Sequence, residues 1–155
     1  SASLTAGKMV LSFIPNVEIV SFLFIIYTTL FGFKRTFATA FIFSTTEIFI
    51  YGFGTWLLGY YIIWPTLIIL AYLIGKTAKT EYGFAILSGA FGLSFGMFFA
   101  LFESVFYGIE YAIPYWVRGI PFDIVHGVSN FILMLVLYKP VVHTVKTVKE
   151  KMHFI

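Results

Sequence analysis

Long apolar runs, each closed by charge or by proline and glycine, divide the chain at about 2–14, 17–33, 36–53, 60–74, 84–107 and 121–138. Apolar runs that do not alternate with polar residues read as buried helices, and about 20 residues suffice to cross a bilayer. The pattern therefore predicts an all-α integral membrane protein, one membrane domain over 1–155 with six transmembrane helices. The first run is short and the chain opens without Met, so helix one is expected to be cut at its start. No secretory cleavage site follows it, and the protein is expected to stay in the membrane, as a multi-pass protein of a bacterial plasma membrane. Small residues recur every fourth position at Ser88, Gly92, Gly96 and Ala100, a spacing that lets helix backbones approach closely in lipid.

Composition sharpens this picture. Of 155 residues, 60% are hydrophobic and 11% charged, too few polar groups to coat a water-soluble surface. Six spans with short loops leave no length for a soluble catalytic domain. With no cysteine, thiolate nucleophiles and Cys-ligated metals are excluded.

Charge supplies the topology. Lys34, Arg35, Lys76, Lys79, Lys139, Lys146, Lys149 and Lys151 fall on one side of the six-helix arrangement, Lys8 lies within helix one, and Arg118 alone falls opposite. The positive-inside rule then puts both termini in the cytoplasm, with outer loops at 15–16, 54–59 and 108–120. The net charge of +3 is thus a matter of orientation rather than nucleic-acid binding. The tail at 141–155 reads either as a basic amphipathic end on the inner surface or as a solvated tail.

Acidic and polar residues crowd toward the other side: Glu18, Glu47, Glu103, Glu110, Asp123, His126 and Asn130, against only Glu81 and Glu150 on the basic side. A charge at membrane depth costs roughly 2.5–3.5 kcal/mol on insertion scales, so their convergence suggests a polar cavity open to the outside. Asp123, His126 and Asn130 share one helix face at i, i+3 and i+7 and together offer a carboxylate, an imidazole and an amide to a small heteroaromatic ligand. If Pro121 opens helix six, Asp123 has a simpler role in its first turn, against the helix dipole. His126 can equally be a satisfied packing residue. Glu47 has no opposite charge in its own helix and needs a partner from elsewhere. Glu18, after Pro15 and Asn16, is either a ligand contact or a cap, and Glu103 and Glu110 could clasp Arg118. Trp56, Tyr60, Tyr61, Trp64, Tyr107, Tyr111, Tyr115 and Trp116 fit an interfacial aromatic belt, of which Trp56 and Tyr60 could also stack on a ligand ring.

Enzyme signatures fail. Gly75-Lys76-Thr77 resembles the end of a phosphate loop, but Leu70 stands where that loop needs glycine. There is no His-x-x-x-His metal spacing and no Gly-x-Ser-x-Gly elbow, so no catalytic residue and no metal ligand is expected.

Phe13-Ile14-Pro15-Asn16-Val17-Glu18 and Gly119-Ile120-Pro121-Phe122-Asp123-Ile124-Val125-His126, set in a small six-helix chain, resemble the substrate-binding S component of an energy-coupling factor (ECF) vitamin transporter. The resemblance covers essentially the whole chain and is greatest to members assigned to hydroxymethyl-pyrimidine or pyridoxine-like substrates. It implies a subunit that binds a vitamin from outside, among the outer halves of the helices. The subunit then docks on a transmembrane coupling protein (T component) with two cytoplasmic ATPases, so that ATP is used by partners and this chain carries no cofactor. Ala2-Ser3-Leu4-Thr5-Ala6 fits the family's Ala-x-x-x-Ala docking motif, which makes Ala2 and Ala6 the partner-binding residues. Ligand contacts differ between vitamins in that family, so the expected substrate-binding set, Glu18, Glu47, Trp56, Tyr60, Glu103, Asp123, His126 and Asn130, rests mainly on polarity and depth. Two alternatives of other classes remain open: a stand-alone proton-coupled carrier, and a membrane-embedded acid-base enzyme working through Glu47, Asp123 and His126.

Overall fold

The computed structural model describes residues 1–11, 17–77 and 80–152. Within them the chain is all helical, with no strand: α1 (Ala2–Leu11), α2 (Val20–Phe31), α3 (Phe33–Tyr51), α4 (Thr55–Thr77), α5 (Glu81–Leu93), α6 (Phe95–Tyr107) and α7 (Ile109–Met152). α4 and α7 are each long and apolar enough to cross a membrane, and α5 with α6, bent by 44° at their junction, make a third such stretch if they count as one. The apolar α2 is shorter, at 12 residues.

Three helix breaks have one cause. Gly32, Gly52 and Gly108 have φ between 82° and 85°, a region that side chains with a Cβ rarely enter, and each stands at a helix end. The Gly52 and Gly108 amides close their helices by donating to the carbonyls of Ile48 and Ser104.

Elsewhere the helices depart from the expected boundaries. Residues 54–59 and 108–120, expected as loops, are almost wholly helical, because α4 starts at Thr55 and α7 at Ile109. Pro114, Pro121 and Pro140 lie inside α7 without ending it. In an apolar setting a proline forfeits a bond or two, whereas ending the helix strands far more backbone. Consequently the expected sixth helix at 121–138 is the middle of a 44-residue helix, and the tail is helical through Met152. The run at 84–107 breaks at Ser94, whose hydroxyl and amide both bond to the Ala90 carbonyl. Residues 12–14 of the first run, together with Pro15, Asn16, Lys79 and His153, lie outside the described residues.

The small-residue run does bring backbones together. α5 packs on α7 where a Cβ on Gly92 would stand 2.9 Å from the Gly127 Cα, and Gly89 faces the Gly127 carbonyl in the same way. Backbone cannot swing aside as a side chain can. Gly92→Ala is therefore expected to cost about 1–3 kcal/mol through overpacking, seen as a lower Tm, whereas Gly119→Ala, with nothing nearby, should leave the Tm unchanged.

The core is aromatic. Trp64 sits at its centre, with ring centroids 5.3 Å from Phe24, 5.4 Å from Tyr60 and 5.8 Å from Phe95. The direction of α4 sets the polarity of the bundle. Trp56 is at its start, near the ends of α3 and α6, while Lys76 is at its finish, near the end of α2 and the start of α5.

Candidate functional site

At the Trp56 end, two largely buried polar clusters, in which Glu18 and Lys8 stay part-exposed, are tied together by the aromatic core. The first centres on Glu18, just before α2. Its Oε2 accepts the Ser21 backbone N–H at 2.9 Å, capping the first turn of α2. Its Oε1 accepts from Asn130 Nδ2 at 3.0 Å and lies 3.1 Å from His126 Nε2, both one turn apart on α7. Capping and convergence with α7 are thus combined in one carboxylate.

The second cluster joins α1, α3 and α4. Glu47, fully buried, forms an ion pair with Lys8. The same ammonium lies 4.6 Å from the Tyr51 ring centroid, 5.2 Å from Tyr60 and 5.9 Å from Trp56, and 3.4 Å from the Tyr60 hydroxyl. The partner that Glu47 lacks in its own helix is supplied by α1. Rings bridge the clusters from Tyr60 through Trp64 to Phe95, which packs edge-on against His126 at 4.8 Å.

Beside these clusters opens a cavity of about 690 Å³, lined by Trp56, Tyr60, Phe95, Tyr115, Arg118 and Asp123 among others. Of the eight residues expected to contact substrate, Trp56, Tyr60 and Asp123 line it. Glu18, Glu47, His126 and Asn130 do not line it: His126 packs on the lining residue Phe95, Glu47 pairs with the Lys8 that approaches the lining residue Tyr60, and Glu18, part-buried, holds His126 and Asn130. Glu103 is held apart, accepting from the Thr55 hydroxyl at 2.9 Å through both oxygens. Among the described residues Arg118 pairs with neither Glu103 nor Glu110; instead it lines the cavity with Glu110. Asp123 does not open its own helix, because α7 begins at Ile109; its Oδ1 accepts the Gly96 N–H at 2.9 Å and caps α6 across the helix interface. Gly96 is small because a Cβ there would meet this carboxylate.

Several buried polar atoms have no partner among the described residues: Glu47 Oε1, Asp123 Oδ2, Asn130 Oδ1 and Trp64 Nε1. Buried groups of this kind are normally bonded, and of these four only Asp123 belongs to the cavity lining, where its open oxygen is an acceptor that a polar ligand can satisfy. Ala2 and Ala6 lie on an exposed face of α1, one turn apart, whereas Gly7 of the same helix faces Ile19.

Lys8, Tyr51, Phe95 and Thr55 take part in the site without being expected there from the sequence. Lys8 carried a usable signal, being one cation inside an apolar run, as Glu47 is one anion inside another. Phe95 carried none, being one of 20 phenylalanines. Comparison of the chain with protein-family models, curated proteins and solved structures finds no match.

Proposed function

We propose that the chain is the substrate-capture subunit of an ATP-driven importer of the ECF type, taking a small water-soluble vitamin or precursor, hydroxymethyl-pyrimidine or pyridoxine-like, from outside. The observation that carries this reading is the aromatic cavity of about 690 Å³, with the open Asp123 Oδ2 on its lining and the open Glu47 Oε1 and Asn130 Oδ1 in the polar clusters beside it. Its walls are aromatic and its polar groups few, the composition of a site for a flat heteroaromatic molecule. In this reading α1, α2, α3, α4, α5 with α6, and α7 give six spans, and both termini face the cytoplasm with the lysine-rich end. Ala2 and Ala6 offer the coupling protein a smooth face, and the ATPases are separate chains. Catalysis has no place in this chain, and binding alone is its task.

A titration tests it. Saturable quenching of the fluorescence of Trp56, Trp64 and Trp116 by one member of a panel of B vitamins and pyrimidine precursors, at sub-micromolar concentration and without ATP, is the expected result. Silence across the panel in folded protein overturns the capture reading. Uptake by the chain reconstituted alone would make it a stand-alone carrier instead, with the buried Glu47 and His126 as proton sites.

A further inference from the structure

The opposite end of the bundle holds a second cleft, of about 550 Å³, between the ends of α2 and α4 and the later part of α7. Lys76 and Lys146 line it, with Thr28, Thr29, Tyr72 and Tyr138. Neither lysine meets a carboxylate among the described residues; the Lys76 ammonium lies only over the Tyr72 ring, 4.4 Å from its centroid. A third cation stands beside them. Lys149 donates to the Leu30 carbonyl at 2.7 Å and lies 4.2 Å from the Phe31 ring, which ties α7 to the end of α2. By contrast, Lys139 is paired with Glu81 at 2.5 Å and contributes no free charge. The threonine hydroxyls donate to backbone carbonyls in their own helix, so they do not compete for an anion's negative oxygens as donors, and recognition falls to the lysines.

The cleft is also half apolar. Leu30, Ala71, Phe84 and Val142 share its lining with the charges. Along α4, Ile69, Leu70 and Leu73 lead away from it as exposed apolar side chains. Cations at the end of an apolar helix surface match one ligand chemistry, a phosphodiester carrying a hydrocarbon tail. A free phosphate would have no use for the apolar lining.

We propose that this cleft binds the headgroup of an anionic phospholipid, with Lys76 and Lys146 on the phosphate. The site holds the ends of α2, α4 and α7 together from the lipid side. It is independent of the vitamin cavity and requires only that the chain lie in a bilayer.

Native mass spectrometry of the full chain in a neutral detergent tests it, with phosphatidylglycerol, phosphatidylcholine and inorganic phosphate as probes. Phosphatidylglycerol should be retained at least about tenfold better than phosphatidylcholine, and inorganic phosphate should not displace it. At about a factor of five per lysine, Lys76→Gln with Lys146→Gln should lower phosphatidylglycerol retention by roughly 25-fold, and Lys146→Gln alone by about fivefold. Lys76→Arg with Lys146→Arg should keep it, as should Lys34→Gln outside the cleft. Equal retention of the two lipids overturns the proposal, as does retention that survives the double Gln change. An equal loss in Lys34→Gln would mean diffuse surface charge, and displacement by inorganic phosphate would mean a free-anion site; either also overturns it.

Discussion

Replacing Lys8 by Met is expected to lower stability by about 3–5 kcal/mol, a loss read as a fall in Tm of the detergent-solubilised protein. The ammonium is the only ionic partner of Glu47 among the described residues, and that carboxylate is wholly shielded from solvent. Removing one member of a buried pair leaves the other charge without compensation, which costs more than the pair contributes when intact. The asymmetry supplies the control. Lys8→Met combined with Glu47→Leu removes both charges, and should recover most of the lost stability because an apolar pair fills the same space. Glu47→Leu alone should be milder than Lys8→Met, since Lys8 is part-exposed and lies among the rings of Tyr51, Trp56 and Tyr60. If Lys8→Met and the double variant melt together, the pair is not what fixes α1 to α3.

That pair shows what a single sequence reveals and what it hides. Lone charges in apolar runs are legible because lipid makes them expensive, so Lys8 and Glu47 each stand out. Their meeting is not legible, since it depends on how α1 crosses α3. The same division holds on α7. The spacing of Asp123, His126 and Asn130 places them on one helix face, and all three are buried. The Glu18 that His126 and Asn130 share comes from more than a hundred residues away, and helical periodicity does not report on such a distance. The expected runs end close to Gly52 and Gly108, where glycine takes a positive φ, but the run at 17–33 passes over Gly32, and α3 begins at Phe33, ahead of Lys34 and Arg35, rather than at Thr36. Helix ends were illegible where proline stays inside a helix, at Pro114 and Pro121, because a rule drawn from water-exposed helices overstates what proline breaks in apolar surroundings. The kink at Ser94 was also hidden. The small residues around it signal close packing, which the Gly92–Gly127 contact displays, but a bend and a straight crossing use the same residues.

Glu18→Ala should have the other large effect, because that carboxylate serves two ends at once. It caps α2 through the Ser21 amide and receives His126 and Asn130 from α7. Losing a cap costs about 1 kcal/mol, and each hydrogen bond to a charged group about 1.5–3 kcal/mol, partly recovered by relaxation of the orphaned side chains. A net loss of about 2–4 kcal/mol in stability is expected. Stability alone does not distinguish a clasp from a binding site, so the informative comparison is with His126→Ala and Asn130→Ala, which leave the cap intact. Each should lower the Tm by less than Glu18→Ala, yet each should weaken the ligand that quenches the tryptophans by tenfold or more, if Asn130 Oδ1 and the imidazole behind Phe95 meet that ligand. Affinity unchanged in both variants, with Tm lowered, would reduce the Glu18 cluster to a fastening between α2 and α7. The cavity bounded by Trp56, Tyr60 and Asp123 would then have to recognise its ligand without the polar cluster beside it.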